Sequence, residues 1–291
     1  MFFHSLTLCD IFAEQYENQK HQKMKASISI VTFFIFLTCQ SQTIDTLVNV
    51  GKHKLNFHII KGKGMPILFE TGGGMDGNAM NNILQPIAEQ TGATLITYDR
   101  AGFGQSTVDT LETDIAKHNI IHAIEDLELA LKKLGYNEKI MLVAHSYGGW
   151  YSTLYAARNP DKVKAAVLID VNHDYYTDEY VSETLVQQKS DIENWKQNNL
   201  GFYYMATNLK SNVEIMRKNS FPASIPVTDL VNGKPFWKDT AKIDRWKKCH
   251  EEFVNAQTNR VGIIATGCGH LIYKDNPNLV INSIVEMYNK I

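Results

Sequence analysis

The chain has 291 residues, 44% of them hydrophobic and 21% charged, a balance that supports a full buried core in one large domain and excludes a fibrous or disordered chain. Its 29 Lys plus Arg against 31 Asp plus Glu leave a net charge of −2. Such a charge provides no broad field for steering onto phosphate backbones or anionic lipid, so neither nucleic acid nor a stable membrane partner is expected.

The first 42 residues depart from the rest. Met24 and Lys25 precede an apolar run from Ala26 to Thr38, and the small or polar residues Cys39 to Gln42 follow it. A cationic start, an apolar middle and a cleavable end form the layout of a secretory signal peptide. A run of about 13 residues is short for a bilayer span, which needs roughly 20. The alternatives are an uncleaved anchor or a buried helix. Because the signal begins late, Met24 is the expected true start. Cleavage near Ser41 gives an exported protein, periplasmic or secreted. Lipid attachment at Cys39 is the lesser option, since Thr38 before it is large for that role. Cys249 and Cys268 then remain; in an oxidising compartment they could pair, and two buried free thiols fit equally well.

From Ile44 onward, apolar β-rich runs alternate with amphipathic stretches, the pattern of strands and helices taking turns around a largely parallel sheet. Thr43–Val50 and Lys54–Lys61 read as strands joined at Gly51-Lys52. Pro66–Glu70 is a short buried strand ending in Gly72-Gly73-Gly74, and Thr94–Tyr98 is the next. Ile120, Ile124, Leu127, Leu131 and Leu134 recur at spacings of 4, 3, 4 and 3, one apolar stripe of a helix closed by Gly135. Lys139–Ala144 is a strand, Tyr147–Arg158 a helix stopped by Asn159-Pro160, and Val163–Asp170 a further strand. Between about Asn172 and Ser224 the pattern loosens into aromatic-rich helical segments, with Tyr175, Tyr176, Trp195, Phe202, Tyr203 and Tyr204, an expected cap insertion without strands. Regularity returns with the strand Ile225–Val231, a helix around Ile243–Gln257, the strand Val261–Ala265 and a closing helix from about Asn276.

The strand ending at Ala144 runs through His145-Ser146-Tyr147-Gly148-Gly149 into a helix. A serine on such a tight turn presents its hydroxyl at the carboxyl edge of the sheet, with the N–H groups of the helix start facing it. The turn is crowded, and Ala144-x-Ser146-x-Gly148 provides small neighbours. A serine before a helix also serves as an ordinary cap. The histidine in Thr266-Gly267-Cys268-Gly269-His270, just past the last expected strand, favours the catalytic reading. A neutral imidazole, with an ordinary pKa of about 6.5, is the natural base for a serine hydroxyl. Of the 10 histidines, His53, His58, His118, His122 and His250 read as structural. His145, whose side chain should diverge from that of Ser146, reads as a support or lining residue.

Together these features resemble the α/β-hydrolase fold superfamily over nearly all of the chain after the export segment. Asp99-Arg100-Ala101-Gly102-Phe103-Gly104-Gln105-Ser106 resembles its D-x-x-G-x-G-x-S loop, and Gly269-His270 followed by Asp275-Asn276-Pro277 resembles its histidine loop. The resemblance implies a mostly parallel eight-stranded α/β sheet flanked by helices, with a helical cap. It further implies a serine hydrolase using a Ser-His-Asp triad and an acyl-enzyme on a small-molecule substrate, with no metal or organic cofactor. It puts oxyanion donors at the backbone N–H groups of Tyr147 and Gly73, with Thr71 in the place of a more usual histidine.

In most of the superfamily the acid follows strand 7, shortly after a glycine, but Gly233 is followed here by Lys234 and Pro235. Asp170, ending strand 6, is the expected acid, with Asp239 second and Asp229 third; Asp170 also reads as a structural tie for the loop into the cap. Serine rather than aspartate at position 146 argues against haloalkane dehalogenase and epoxide hydrolase chemistry. A small carboxylic ester is the expected substrate. The alternatives are a proline iminopeptidase-like aminopeptidase, with Glu179, Glu183 and Asp191 as candidate partners of a substrate ammonium, a carbon–carbon hydrolase, or a non-catalytic binding module.

Overall fold

Strands that bury both faces appear in sequence as continuous apolar runs, and those runs assemble here into one sheet. The computed structural model describes residues 42–234 and 237–291; the expected export segment, with Met24 and Cys39, lies outside them. The strands are β1 (Thr43–Asn49), β2 (Lys54–Ile60), β3 (Gly64–Glu70), β4 (Ala93–Tyr98), β5 (Ile140–His145), β6 (Val163–Ile169), β7 (Val227–Asn232) and β8 (Arg260–Ala265). Their order across the sheet is β1-β2-β4-β3-β5-β6-β7-β8. β2 runs antiparallel to both its neighbours, and every pairing from β4 onward is parallel, the mostly parallel eight-stranded sheet that the sequence predicts.

The helices are α1 (Asn81–Thr91), α2 (Ile120–Leu134), α3 (Gly148–Arg158), α4 (Asp178–Gln188), α5 (Ile192–Asn198), α6 (Leu200–Thr207), α7 (Leu209–Met216), α8 (Thr240–Asn255), α9 (Ile272–Asp275) and α10 (Pro277–Asn289). Successive strand side chains point to opposite faces, which builds two cores. Leu68, Leu142 and Leu168 meet Ile124 and Leu127 of α2 and Leu154 of α3 on one face. Phe69, Val143 and Val167 meet Ile83 and Ile87 of α1 and Val280 and Ile284 of α10 on the other. Among the described residues no helix is long and apolar enough to cross a membrane.

Two departures from the sequence expectation have a plain cause in proline; β3 also begins at Gly64 rather than Pro66, and the short α9 was not expected. Helix α1 was not foreseen, because Pro86 inside it interrupts the helical signal, although Ile83, Leu84 and Ile87 are buried. β7 begins at Val227 rather than Ile225. Pro226 has no N–H for the ladder and only accepts, from the N–H of Ala166.

Helices α4 to α7 fill the stretch between β6 and β7, where a cap without strands was expected. Asn212 of α7 fastens them to the body. It is buried, its side-chain carbonyl accepts from the N–H of Ile120 at 3.0 Å, and its amide donates to the Tyr147 hydroxyl at 3.1 Å.

After β5 the backbone turns at Ser146, with φ of 54°. That conformation costs a residue with a Cβ roughly 1–2 kcal/mol. Gly148 then lets α3 begin against the end of β3: a Cβ there would lie 2.4 Å from the Glu70 carbonyl oxygen and 2.6 Å from that of Thr71. The Glu70 side chain is buried, accepts from the Tyr98 hydroxyl at 2.9 and 3.1 Å, and lies 3.9 Å from the Arg100 guanidinium. Burial pushes its carboxyl from 4.5 up to about 7, against the opposing pull of Arg100 and the Tyr98 hydrogen bond.

Two outcomes follow from this geometry. Ser146→Gly and Ser146→Ala both remove the hydroxyl, but glycine accepts the positive φ without strain, so the glycine variant should be the more stable by about 1 kcal/mol in chemical denaturation. A carboxyl whose folded pKa is raised favours folding most below its unfolded value. As pH rises from about 4.5 to 7, the Glu70 contribution should fall by on the order of 3 kcal/mol. The Tm of Glu70→Gln minus that of the parent should therefore grow between about pH 5 and 8; a constant difference would contradict the burial argument.

Candidate active site

Ser146 and Asp170 are, among the described residues, the two non-glycine positions with positive φ, at 54° and 48°. Strain of this kind is held only where surrounding structure over-determines it, and it gathers at functional sites. Both residues stand at carboxyl ends of neighbouring strands. The N–H of Ser146 donates to the Ile169 carbonyl at 3.1 Å, and that of Asp170 to the Leu230 carbonyl at 2.6 Å. The loop after β8 brings His270 to both: Nε2 lies 2.8 Å from Ser146 Oγ, and Nδ1 lies 2.6 Å from Asp170 Oδ2.

Asp170 has no exposure to solvent. Oδ1 accepts from the N–H of Asn232 at 3.0 Å and the Trp246 indole at 2.9 Å, and Oδ2 accepts from the Asn232 amide at 2.7 Å. Burial alone would raise this carboxyl, but the His270 ring and the Asn232 donors outweigh it and hold the group below the usual carboxylate range. An ionised carboxylate can only accept, so His270 Nδ1 carries the proton. The lone pair of Nε2 then faces the serine hydroxyl.

His145 is buried one residue before Ser146, with Nε2 3.0 Å from the His270 carbonyl oxygen, so it ties the histidine loop to β5. Burial, helped by the charge of His270, pushes it down to about 3, which keeps it a neutral donor. Gly73 lies beside Tyr147, since a Cβ on Gly73 would be 3.4 Å from Cβ of Tyr147. The glycine loop takes its shape from Arg100, which donates to the carbonyls of Thr71, at 3.0 Å, and Gly72. The carbonyl and N–H of one trans peptide point in opposite directions, so fixing the Gly72 oxygen on Arg100 turns the Gly73 N–H away from it.

Ser146, His270, Gly73 and Tyr147 line a cavity of about 250 Å³ whose other walls include Tyr175, Tyr176, Tyr180, Trp237 and Trp246. Among the described residues no Asp, Glu, Lys or Arg lines it.

The other candidates lie elsewhere. Asp239 is exposed and caps α8, accepting from the N–H groups of Ala241 and Lys242. Asp229 is buried within β7, 2.6 Å from His250 Nδ1 and 3.2 Å from His173 Nε2. Glu179, Glu183 and Asp191 are exposed, and Glu183 pairs with Lys242 at 2.7 Å. Cys249 and Cys268 are both buried and free. His173, Asp229 and His250 bring metal-ligating atoms within 4.8 Å of one another. The 2.6 Å separation is nonetheless a direct hydrogen bond, tighter than the roughly 3.3 Å between two ligands on one zinc. The three meet as hydrogen-bond partners.

The residues that the sequence did not single out are Asn232, Trp246 and Arg100. Asn232 ends β7, the strand after which most of the superfamily places its acid, and its amide here serves an acid in the turn after β6 instead. Only Arg100 had a local signal, its place in the loop beginning at Asp99.

Residues 65–221 match the family model described as the alpha/beta hydrolase fold. Protein YqjL of Bacillus subtilis is 24% identical over 225 residues, 77% of this chain and 84% of that protein. Among solved structures, a mutant epoxide hydrolase of Vigna radiata superposes with a TM-score of 0.66 at 17% identity, covering 86% of this chain and 99% of that one. A thermophilic esterase from Thermogutta terrifontis superposes with a TM-score of 0.59 at 19% identity, covering 87% and 99%. Joined to the eight-stranded sheet and the family-model match over more than half its length, these likenesses establish that the chain belongs to the alpha/beta hydrolase fold family.

Proposed function

We propose that the protein is a serine hydrolase that cleaves small, uncharged carboxylic esters through an acyl-enzyme. The observation that carries this reading is the unbroken chain from Ser146 through His270 to Asp170, at 2.8 and 2.6 Å, opening into the aromatic cavity.

His270 Nε2 takes the hydroxyl proton as Ser146 Oγ attacks the ester carbonyl carbon. The N–H groups of Gly73 and Tyr147 receive the negative charge on the carbonyl oxygen, where loss of one such donor typically costs about 3 kcal/mol in the barrier. Collapse of the tetrahedral adduct breaks the C–O bond to the alcohol, which leaves with the proton from His270. Water then repeats the sequence on the acyl-enzyme, releasing the acid and restoring Ser146. Asp170 stays ionised and holds the ring in the tautomer that each step requires.

The cavity supports an uncharged substrate, since among the described residues its walls offer aromatic rings and the neutral polar groups of Asn172, Thr184 and Gln188, with no counter-charge. The same feature weighs against an aminopeptidase, whose substrate ammonium would need a carboxylate. The likeness to an epoxide hydrolase concerns the fold, whereas that chemistry uses a carboxylate nucleophile where this chain carries Ser146.

A fluorophosphonate probe should label the parent at Ser146, and Ser146→Ala and His270→Ala should not label. Asp170→Asn should remain folded and lose on the order of 10³- to 10⁴-fold in kcat on a short-chain aryl ester. A folded parent that takes no label would favour the binding-module reading instead.

A further inference from the structure

We infer that His250 is a cationic positioning residue of the triad acid, an imidazolium held between the carboxylates of Asp229 and Asp170, which widens toward acid the pH range in which His270 acts as a base. This rests on the reading of Ser146, His270 and Asp170 given above.

The geometry is that of one ring between two buried anions. Nδ1 of His250, on α8, lies 2.6 Å from Asp229 Oδ2, and Nε2 lies 4.0 Å from Asp170 Oδ1. Asp229 serves two histidine nitrogens, so it is ionised and Nδ1 carries a proton. Nε2 of His250 is buried with no hydrogen-bond partner among the described residues. Carrying a lone pair, it would face the Asp170 carboxylate in a site with little water, which is repulsive. Carrying a proton, it gives two buried anions a shared cation.

The groups facing His250 from each packed element agree with this assignment. β7 contributes Asp229, and the turn after β6 contributes Asp170 and His173. Burial keeps His173 neutral, below the usual histidine range. Arg260, at the start of β8, acts on the cluster through Asp229. On α8 itself the Trp246 ring, 5.2 Å away, stands between His250 and His270. Burial pulls the His250 ring down, and Asp229, with Asp170 behind it, outweighs burial and holds it above the usual range.

The consequence concerns His270. A cation against the far side of Asp170 weakens the hold of that carboxylate on a second positive charge. A variant lacking that cation should therefore lose activity at a higher pH than the parent as the solution is acidified.

The test uses the full chain labelled with ¹³C-histidine, its ring resonances assigned by single His→Gln substitutions and followed by NMR from about pH 5 to 9. In the parent the His250 ring should give up its proton only above the usual histidine range. In His250→Gln, which keeps a donor for Asp229, the His270 resonance and the acid limb of kcat/KM should both move up by about half a pH unit or more. A neutral His250 in the parent at pH 7 would overturn the inference. So would a folded His250→Gln in which neither the resonance nor the limb moves, which is the result a purely structural role gives. If that variant does not fold, the His250 ring of the parent decides alone. The NMR arm needs no substrate, so failure of the esterase reading, seen as absence of fluorophosphonate labelling, is distinguishable from failure of this one.

Discussion

An ionised carboxylate with no access to water persists only where donors replace its lost hydration. Asp170 sets that requirement for this fold. Its two oxygens take the N–H and amide of Asn232, the Trp246 indole and the His270 ring, drawn from β7, α8 and the loop after β8. The parallel order β6-β7-β8 brings these donors to one edge. Losing any of them leaves a buried charge short of a partner, so the last third of the chain is organised around one side chain as much as around its apolar contacts.

The glycine loop after β3 shows the complementary constraint. Three successive glycines make no side-chain contacts, so the loop cannot define its own shape. Arg100 defines it from outside by gripping two peptide carbonyls, and its guanidinium lies 4.7 Å over the Tyr151 ring. Beneath it Glu70, pushed up to about 7, sits near the midpoint of its titration at neutral pH. The buried Glu70 and Arg100 pair behind the glycine loop therefore carries a net positive charge while Glu70 is protonated and none once it ionises.

What could be read from the sequence was what is local. The strand-to-helix turn announces Ser146 because its crowding demands Ala144 and Gly148 within two residues. His270 stands out because it follows directly on the last strand. The stripe of α2 and the buried run of β5 needed nothing beyond periodicity and composition. Asp170 could be ranked ahead of Asp239 and Asp229 by position alone. Its partners could not be foreseen, since Asn232 and Trp246 lie 62 and 76 residues further along the chain. His250 gave no signal at all: a histidine on an amphipathic helix is ordinary, and only the fold sets it between two carboxylates. Helix α1 was hidden by a single residue, Pro86, whose missing N–H matters less in the fold than the burial of Ile83 and Ile87.

The anchoring of the cap through Asn212 is asymmetric. That one amide ties α7 to the first turn of α2 and to the hydroxyl of Tyr147, a residue that lines the cavity. At the other end, α4 buries only Val181 and α5 buries no residue. Displacing α7 would break two buried hydrogen bonds. The α4 side is held instead by exposed ion pairs, Asp178 with Arg217 and Glu183 with Lys242, so the two ends of the cap answer to different conditions: salt weakens the one and leaves the other almost untouched.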